Sequence, residues 1–285
     1  MIAGYDGSPQ GDDALALAAL LAGESGRVVA ARVFPAEPRL LPGPALEHYR
    51  SRQAKERSPL IAQLREAAAA VGADSEQPLS RSPAAGLHDL AAELEADLVV
   101  VGSSQRDDTA SVLVGGTGER LLHGSPCAVA LAPQGFRERE QRMRVVGVGY
   151  DGSPESDVAL DEAIALAEAH EATMRIFTVF SPTDPQLDPG RRAFLQEASR
   201  AAEERAPEKL RAAVSTLVGD PASILREEAE KGLDLLAIGS RGFGPLQRTF
   251  SGSLAAALMH GGLPCPLLVS PRGAHPPSEL ERAEP

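Results

Sequence analysis

The stretch at 239–254, GSRGFGPLQRTFSGSL, has the residue types and spacing best suited to binding chemistry. Gly239, Gly242, Gly252 and Ser253 follow the spacing Gly-x2-Gly-x9-Gly-Ser, directly after the apolar run Leu-Leu-Ala-Ile. A strand that ends in glycine and opens into a loop rich in backbone N–H groups is a common phosphate-binding arrangement in α/β proteins. The stretch therefore predicts an anion-binding loop.

Glycines give this loop its predicted shape. Gly239 ends the strand and allows a ligand to approach the backbone, while Gly242 and Gly244 permit positive φ and a concave row of N–H donors. Gly252 and Ser253 begin the next helix, whose dipole favours an anion by about 0.3–1 kcal/mol. Gly239 taken alone is equally consistent with a simple strand-to-loop boundary.

Arg241 projects from the same loop and is a candidate phosphate partner. A solvated surface charge is an equally good interpretation of this one residue. Ser240 and Leu254 complete the predicted loop.

The elements that must position this loop occur twice in the chain. The repeat distance of about 137–145 residues fits a duplicated domain rather than a solenoid. Three segments have counterparts in the same order: 5–9 with 150–154, 97–103 with 234–240, and 125–129 with 263–267.

Each half alternates strands with helices, which predicts a parallel sheet covered on both faces. In the second half the predicted strands are 145–150, 174–180, 214–218, 235–238 and 267–270, and the predicted helices are 156–170, 191–205, 221–231 and 253–260. In the first half, 35–58 is expected to be a long loop leading into a helix near 59–71. Ligands of such sheets bind beyond the carboxyl ends of the strands.

The chain of 285 residues is long enough for two ordinary domains. We expect four regions: a first domain at 1–133, a charged linker at 134–143, a second domain at 144–272 and a disordered, proline-rich tail at 273–285.

Composition excludes several classes of function. A net charge of −12 and an isoelectric point of about 5.0 argue against nucleic acid or an anionic membrane as a partner. The sequence has no leader at Met1 and no apolar run near 18 residues, so we expect a soluble cytoplasmic protein. Cys127 and Cys265 are expected to be buried free thiols rather than a disulfide or redox sensors.

Three marks occur in order in this chain: Asp-Gly-Ser after the first strand, the glycine spacing after the fourth, and Pro-Cys before the fifth. On these marks the whole chain resembles the universal stress protein family, as two tandem copies. The resemblance implies two five-stranded parallel α/β sandwiches of the adenine-nucleotide α-hydrolase-like type. It also implies binding of ATP or AMP, with Mg²⁺ as a candidate accompanying ion, no dedicated catalytic centre, and pairing of two domains through their last strands.

The resemblance also implies roles for three residues of the second half. Asp151 would contact the ribose side of the nucleotide, Gly149 would leave room for it, and the Val179 backbone would meet adenine. Asp151 could instead cap the helix that follows it, and Val179 is a core residue by default.

The first-half copy of the site is degraded. Aligning Gly102 with Gly239 places Gln105 at a glycine position and Gly116 at the serine position, while Gly115 is retained. A left-handed Gln105 and the lost hydroxyl together weaken phosphate binding by about 2.5–5 kcal/mol. The predicted weaker site contains Asp6, Val33, Gly102, Gly115, Gly116 and Thr117.

Three classes of function follow from this sequence. The favoured one is a regulatory or stress-response module that holds ATP or AMP mainly in its second domain. A slow ATP hydrolase is a second class, although the sequence lacks the common nucleotide-hydrolysis motifs. A structural dimerisation module that binds no nucleotide is the third. The last strands of the two halves could pair within one chain as a pseudo-dimer, with a further homodimer as an additional expectation.

Overall fold

The computed structural model describes residues 1–37, 43–103, 116–122, 124–139, 142–181, 189–240, 253–260 and 262–271. The predicted tail at 273–285 lies outside these residues. Strands of the first half are β1 (Ile2–Gly4), β2 (Val29–Ala31), β3 (Phe34–Pro35), β4 (Asp74–Glu76), β5 (Leu79–Ser80), β6 (Leu98–Gly102) and β7 (Ala128–Ala132). Its helices are α1 (Pro9–Ala22), α2 (Gly43–Ala70), α3 (Pro83–Glu93) and α4 (Thr117–Leu122).

The second half repeats this order without the short β3 and β5 pair. Its strands are β8 (Val145–Gly149), β9 (Thr173–Phe180), β10 (Ala213–Val218), β11 (Leu235–Gly239) and β12 (Leu267–Ser270). Its helices are α5 (Pro154–Ala169), α6 (Pro189–Arg205), α7 (Pro221–Glu230) and α8 (Ser253–His260). The bounds lie within about two residues of those predicted from the sequence.

Local sequence explains where four of the helices begin. Ser8, Ser82, Ser153 and Asp220 each accept a backbone N–H from the first turn, and a proline follows each of them. The side chain satisfies a donor that has no partner within the helix, and proline fits the first helical position because no N–H is needed there.

The ten main strands form one sheet in the order β10-β9-β8-β11-β12-β7-β6-β1-β2-β4. Within each half the neighbouring strands are parallel, and each half places its first strand at the centre, between its second and fourth. The halves meet where β12 pairs antiparallel with β7, with Leu268 opposite Ala130 and Val269 opposite Val129. Five parallel strands in each half confirm the predicted fold class.

The core lies in two layers, one on each face of this sheet. One layer is packed under α1, α2, α5 and α6, and the other under α3, α4, α7 and α8. Adjacent strand residues such as Val99 and Val100 belong to opposite layers, because side chains alternate along a strand. Both layers continue across the β7–β12 pair.

The expectation of a long loop at 35–58 was wrong. Helix α2 already begins at Gly43 and continues through Pro59. Its first half lacks an apolar stripe but is rich in strong helix formers. An ion pair from Arg50 to Glu37 and a hydrogen bond from Arg57 to the Pro35 carbonyl hold it against the chain before it. These contacts are tertiary, so the apolar pattern did not reveal them.

Candidate functional site

A cavity of about 430 Å³ opens at the carboxyl ends of the first-half strands. It lies between the ends of β1, β2 and β6 and the beginnings of α1 and α4. The predicted site residues among its lining are Asp6, Val33, Gly102, Gly116 and Thr117. Gly115, the sixth residue predicted there, lies outside the described residues. The structure therefore brings together separate segments that the sequence had assigned to one site.

Asp6 and Asp151 occupy equivalent turns after the first strand of each half. The Asp151 Oδ1 atom accepts the N–H of Ser153 at 3.0 Å, and Asp6 Oδ1 accepts the N–H of Ser8 at 2.9 Å. Ser8 and Ser153 are the helix caps. The alternative in which Asp151 itself caps the helix is therefore wrong, since its carboxylate shapes the turn before the cap.

Gly102 and Gly239 end β6 and β11 beside the first turn of a helix. A Cβ atom at Gly102 would lie 2.1 Å from the carbonyl oxygen of Gln10, and one at Gly239 would lie 2.6 Å from the carbonyl carbon of Glu155. Contacts this short with backbone cannot be relieved by turning a side chain. Both glycines thus have a packing role that the sequence did not reveal.

The described second-half residues of the predicted site lie along the same edge of the sheet. Gly149 ends β8, and Val179 lies on the neighbouring β9 and is partly buried. The Ser240 N–H donates to the Ser270 carbonyl at 2.9 Å, which extends the β11–β12 ladder past the strand. Ser253 is the first residue of α8 and Leu254 is partly buried. The predicted loop residues Arg241, Gly242, Gly244 and Gly252 lie outside the described residues.

Sequence reasoning missed two residues that hold the helices α4 and α8. His88 Nε2 donates to the Leu121 carbonyl at 2.9 Å, and Arg226 Nη2 donates to the Ala257 carbonyl at 3.2 Å. The two donors lie six residues after the caps of α3 and α7. An alignment of the two halves on those caps would have shown that His88 and Arg226 occupy equivalent positions.

Charge in the first-half cavity is sparse. Asp6, Arg32 and Glu119 line it, and Arg32 is the only base among the described lining residues. The buried Tyr5 adjoins them, and burial, with a smaller contribution from Asp12, raises the pKa of its hydroxyl. Sequence reasoning also missed Arg32, because nothing in the strand pattern marks that position.

The two cysteines are free and buried, as predicted. Burial raises the pKa of the Cys127 thiol to about 11 and that of Cys265 to about 12. Thiols of this kind stay protonated near neutral pH and are poor nucleophiles.

The described residues provide no group of three or more His, Cys, Asp or Glu side chains that could hold a metal ion. No Mg²⁺ ligand is therefore assigned to these side chains. Among the helices that the structure describes, none is long and apolar enough to cross a membrane.

Comparison with known proteins places this geometry in a family. A universal stress protein of Mycobacterium tuberculosis is 31% identical over 204 residues, which cover 67% of this chain and 70% of the relative. A universal stress protein of Thermus aquaticus is 30% identical over 139 residues, covering 45% of this chain and 98% of the relative. The crystal structure of a universal stress protein from Archaeoglobus fulgidus covers 96% of this chain and 98% of that chain, with a TM-score of 0.64 and 20% identity, and shows a shared fold. The universal stress protein family profile matches residues 1–133 and 143–271, so the chain belongs to the universal stress protein family as a tandem two-domain member.

Proposed function

We propose that this protein binds an adenine nucleotide, ATP or AMP, and acts as a regulatory or stress-response module. The observation that carries the proposal is the first-half cavity, where five residues predicted from the sequence line one opening at the carboxyl ends of the strands. The second half has the same strand order and the same Asp-Gly-Ser turn. An equivalent opening there would receive the phosphate groups on the intact loop at 239–254.

We propose that the second half holds the nucleotide more tightly. Between Gly239 and Leu254 the formal charge is +2, from Arg241 and Arg248, whereas the first-half stretch 102–117 has a charge of −1. The positive stretch of the second half attracts phosphate, and the negative stretch of the first half repels it. With the losses at Gln105 and Gly116, the first half would bind about a hundredfold to a few thousandfold more weakly.

Isothermal titration of the full chain with ATP tests this proposal. We expect one strong site, abolished by Gly242→Ala or Ser253→Ala, because the sequence predicts a positive-φ glycine at the first position and a phosphate hydrogen bond at the second. Gly116→Ala, at the position equivalent to Ser253, is the matched control and should leave the strong site intact. Two sites of equal affinity, or unchanged titration in both second-half variants, would contradict the assignment.

A second candidate, a structural pseudo-dimer that binds no nucleotide, is favoured by the antiparallel β7–β12 contact. The two halves of one chain would then correspond to two subunits, and two chains could pair further as a homodimer. Mass spectrometry of small molecules released from the purified protein separates this candidate from the first. Turnover of Mg²⁺-ATP tests the third candidate, a slow ATP hydrolase. The buried free thiols favour a cytoplasmic location.

A further inference from the structure

Arg32 lines the first-half cavity and differs in chemistry from the residue at the equivalent position of the second half. The equivalent positions are found from the strand pairing. In each half the first strand ends in a glycine, this glycine pairs with a residue of the second strand, and the position compared is the one directly after that residue. Gly4 pairs with Ala31, so this residue is Arg32, and Gly149 pairs with Phe177, so its equivalent is Thr178. The Thr178 side chain is buried and donates to the Tyr150 carbonyl at 3.1 Å. A buried hydroxyl has thus been exchanged for a cation that lines a cavity.

Arg32 stands over the Asp6-Gly7 turn. Its Nη1 atom lies 3.0 Å from where a Cβ of Gly7 would be, and the same atom donates to Gln63 Oε1 at 3.4 Å. The guanidinium carbon lies 5.9 Å from the Phe34 ring centre. None of the carboxylates in the described part of the chain forms an ion pair with it. The guanidinium is therefore held in place by a ring and an amide, with its charge still available.

The carboxylates of Asp6 and Glu119 line the same cavity. Asp6 Oδ1 already accepts from the backbone N–H and the hydroxyl of Ser8. Arg32 is the only base among the described lining residues, so among them it is the side chain that can form an ion pair with a bound anion. An arginine fork suits phosphate, which it can bind through two parallel hydrogen bonds.

We propose that Arg32 makes the first-half cavity a site for a nucleotide that carries a phosphate on its ribose, at the 2′ or 3′ position. The inference rests on the proposed function, in which the Asp-Gly turn lies beside the ribose. The cavity is then not a weakened copy of the second site. It prefers a different nucleotide, in which the anion lies beside the turn rather than on the loop after β6.

Isothermal titration of the full chain with 5′-AMP and with adenosine 3′,5′-bisphosphate tests the inference. We expect one equivalent of 5′-AMP to bind per chain. The bisphosphate should bind one equivalent more than 5′-AMP does, and this additional equivalent should occupy the first-half cavity. Arg32→Thr, which introduces the second-half residue, should weaken the additional binding by about tenfold to a hundredfold and leave the 5′-AMP titration unchanged. Arg32→Lys should weaken it less, since the charge remains but the fork is lost.

Arg57→Thr is the matched control. Arg57 packs on the same Phe34 ring at 5.2 Å but does not line the cavity, so its loss should not alter bisphosphate binding. The inference is overturned, while the proposed function stands, if 5′-AMP binds and the bisphosphate gains no additional site. It is also overturned if Arg57→Thr weakens that site as much as Arg32→Thr does. Failure of both nucleotides to bind the unaltered chain overturns the inference and the proposed function together.

Discussion

Gly102 and Gly239 show how one residue type can be required for packing at a predicted binding site. Each lies where the first turn of a helix crosses the end of a strand, and the helix backbone occupies the space that a Cβ would need. At both crossings only a residue without a side chain fits between the strand and the helix.

Gly239→Ala should destabilise the protein even without nucleotide. The new methyl group would lie 2.6–2.7 Å from the backbone of Glu155 and Ser156, so α5 must move, at a cost of about 1–3 kcal/mol. Urea denaturation of the nucleotide-free protein measures this loss. Ser240→Ala, at the next position, should change the unfolding free energy by less than about 0.5 kcal/mol. Equal stability of Gly239→Ala and the unaltered protein would contradict the packing role of this glycine.

Glu162 is a partly buried acid of α5. Its first-half equivalent is the fully buried Leu17, and its carboxylate accepts a hydrogen bond from the Ser270 hydroxyl at the end of β12. Burial, opposed by this hydrogen bond and reinforced by Asp161 and Asp97, raises the pKa of Glu162 from 4.5 to about 7. The folded state thus prefers the protonated acid. The contribution of Glu162 to stability is therefore fully present below pH 4.5 and is lost as the pH rises through about 7.

Glu162→Gln should remove this pH dependence. The amide keeps an acceptor for Ser270 but carries no charge, so the variant's stability relative to the unaltered protein should increase by about 2–3 kcal/mol between pH 5 and pH 8. Denaturant unfolding at the two pH values gives this difference. Glu168→Gln, at an exposed position of the same helix, should show a change below about 1 kcal/mol. The same pH response in both variants would rule out Glu162 as its source.

At the scale of elements, the described residues 134–139 of the predicted linker are docked on α1. Residues Phe136–Glu138 form a 3₁₀ turn, and Phe136 is buried against α1. The buried Asp13 of α1 accepts the N–H groups of Gly135 and Arg137, both at 2.9 Å. The charge content of 134–143 predicted a linker between the halves. It did not reveal this contact, because the Asp13 partner is more than a hundred residues away.

Asp13→Ala should detach this segment from α1. The change leaves two backbone donors without their charged acceptor, which costs about 2–4 kcal/mol of unfolding free energy. Asp12→Ala is the matched control, since Asp12 forms only a partly exposed ion pair with the Arg137 side chain and should cost at most about 1 kcal/mol. Thermal and urea unfolding of both variants decide the matter. A smaller effect at Asp13 than at Asp12 would contradict the docking role.

At the scale of the whole molecule, the antiparallel β7–β12 contact joins two parallel sheets into one. Strands β7 and β12 would each be an exposed edge of its own sheet, and here they pair with each other. Both core layers cross the junction. Edges of this kind invite mispairing when they are left open. We therefore expect the junction to couple the stability of the two halves.

We expect the two halves to unfold in one transition. Leu268 lies on β12 opposite Ala130 and is 1% exposed, so Leu268→Ala should lower the stability of the whole chain by about 2–5 kcal/mol. Calorimetry and circular dichroism should give coincident transitions for the unaltered protein and for this variant. Two resolved transitions, only one of them shifted by Leu268→Ala, would mean that the halves are independent.

The sequence by itself determined the duplication, the alternation of strands and helices, and the membership of the family. Each of these depends on local patterns: strand runs near Leu235, Ser-Pro and Asp-Pro helix starts, and a motif order that occurs twice. Apolar periodicity records only which residues face a core, and that is why it failed for the polar first half of α2.

The tertiary structure decided what those patterns bring together. It gave Gly102 and Gly239 a packing role, placed Asp13 under the linker and Glu162 beside Ser270, and left Arg32 as the only base among the described residues that line the first-half cavity. These contacts join residues that are distant in the chain, or they depend on the face of the sheet toward which a side chain points. Close approach and burial are properties of the packed molecule, so no spacing along the sequence could specify them.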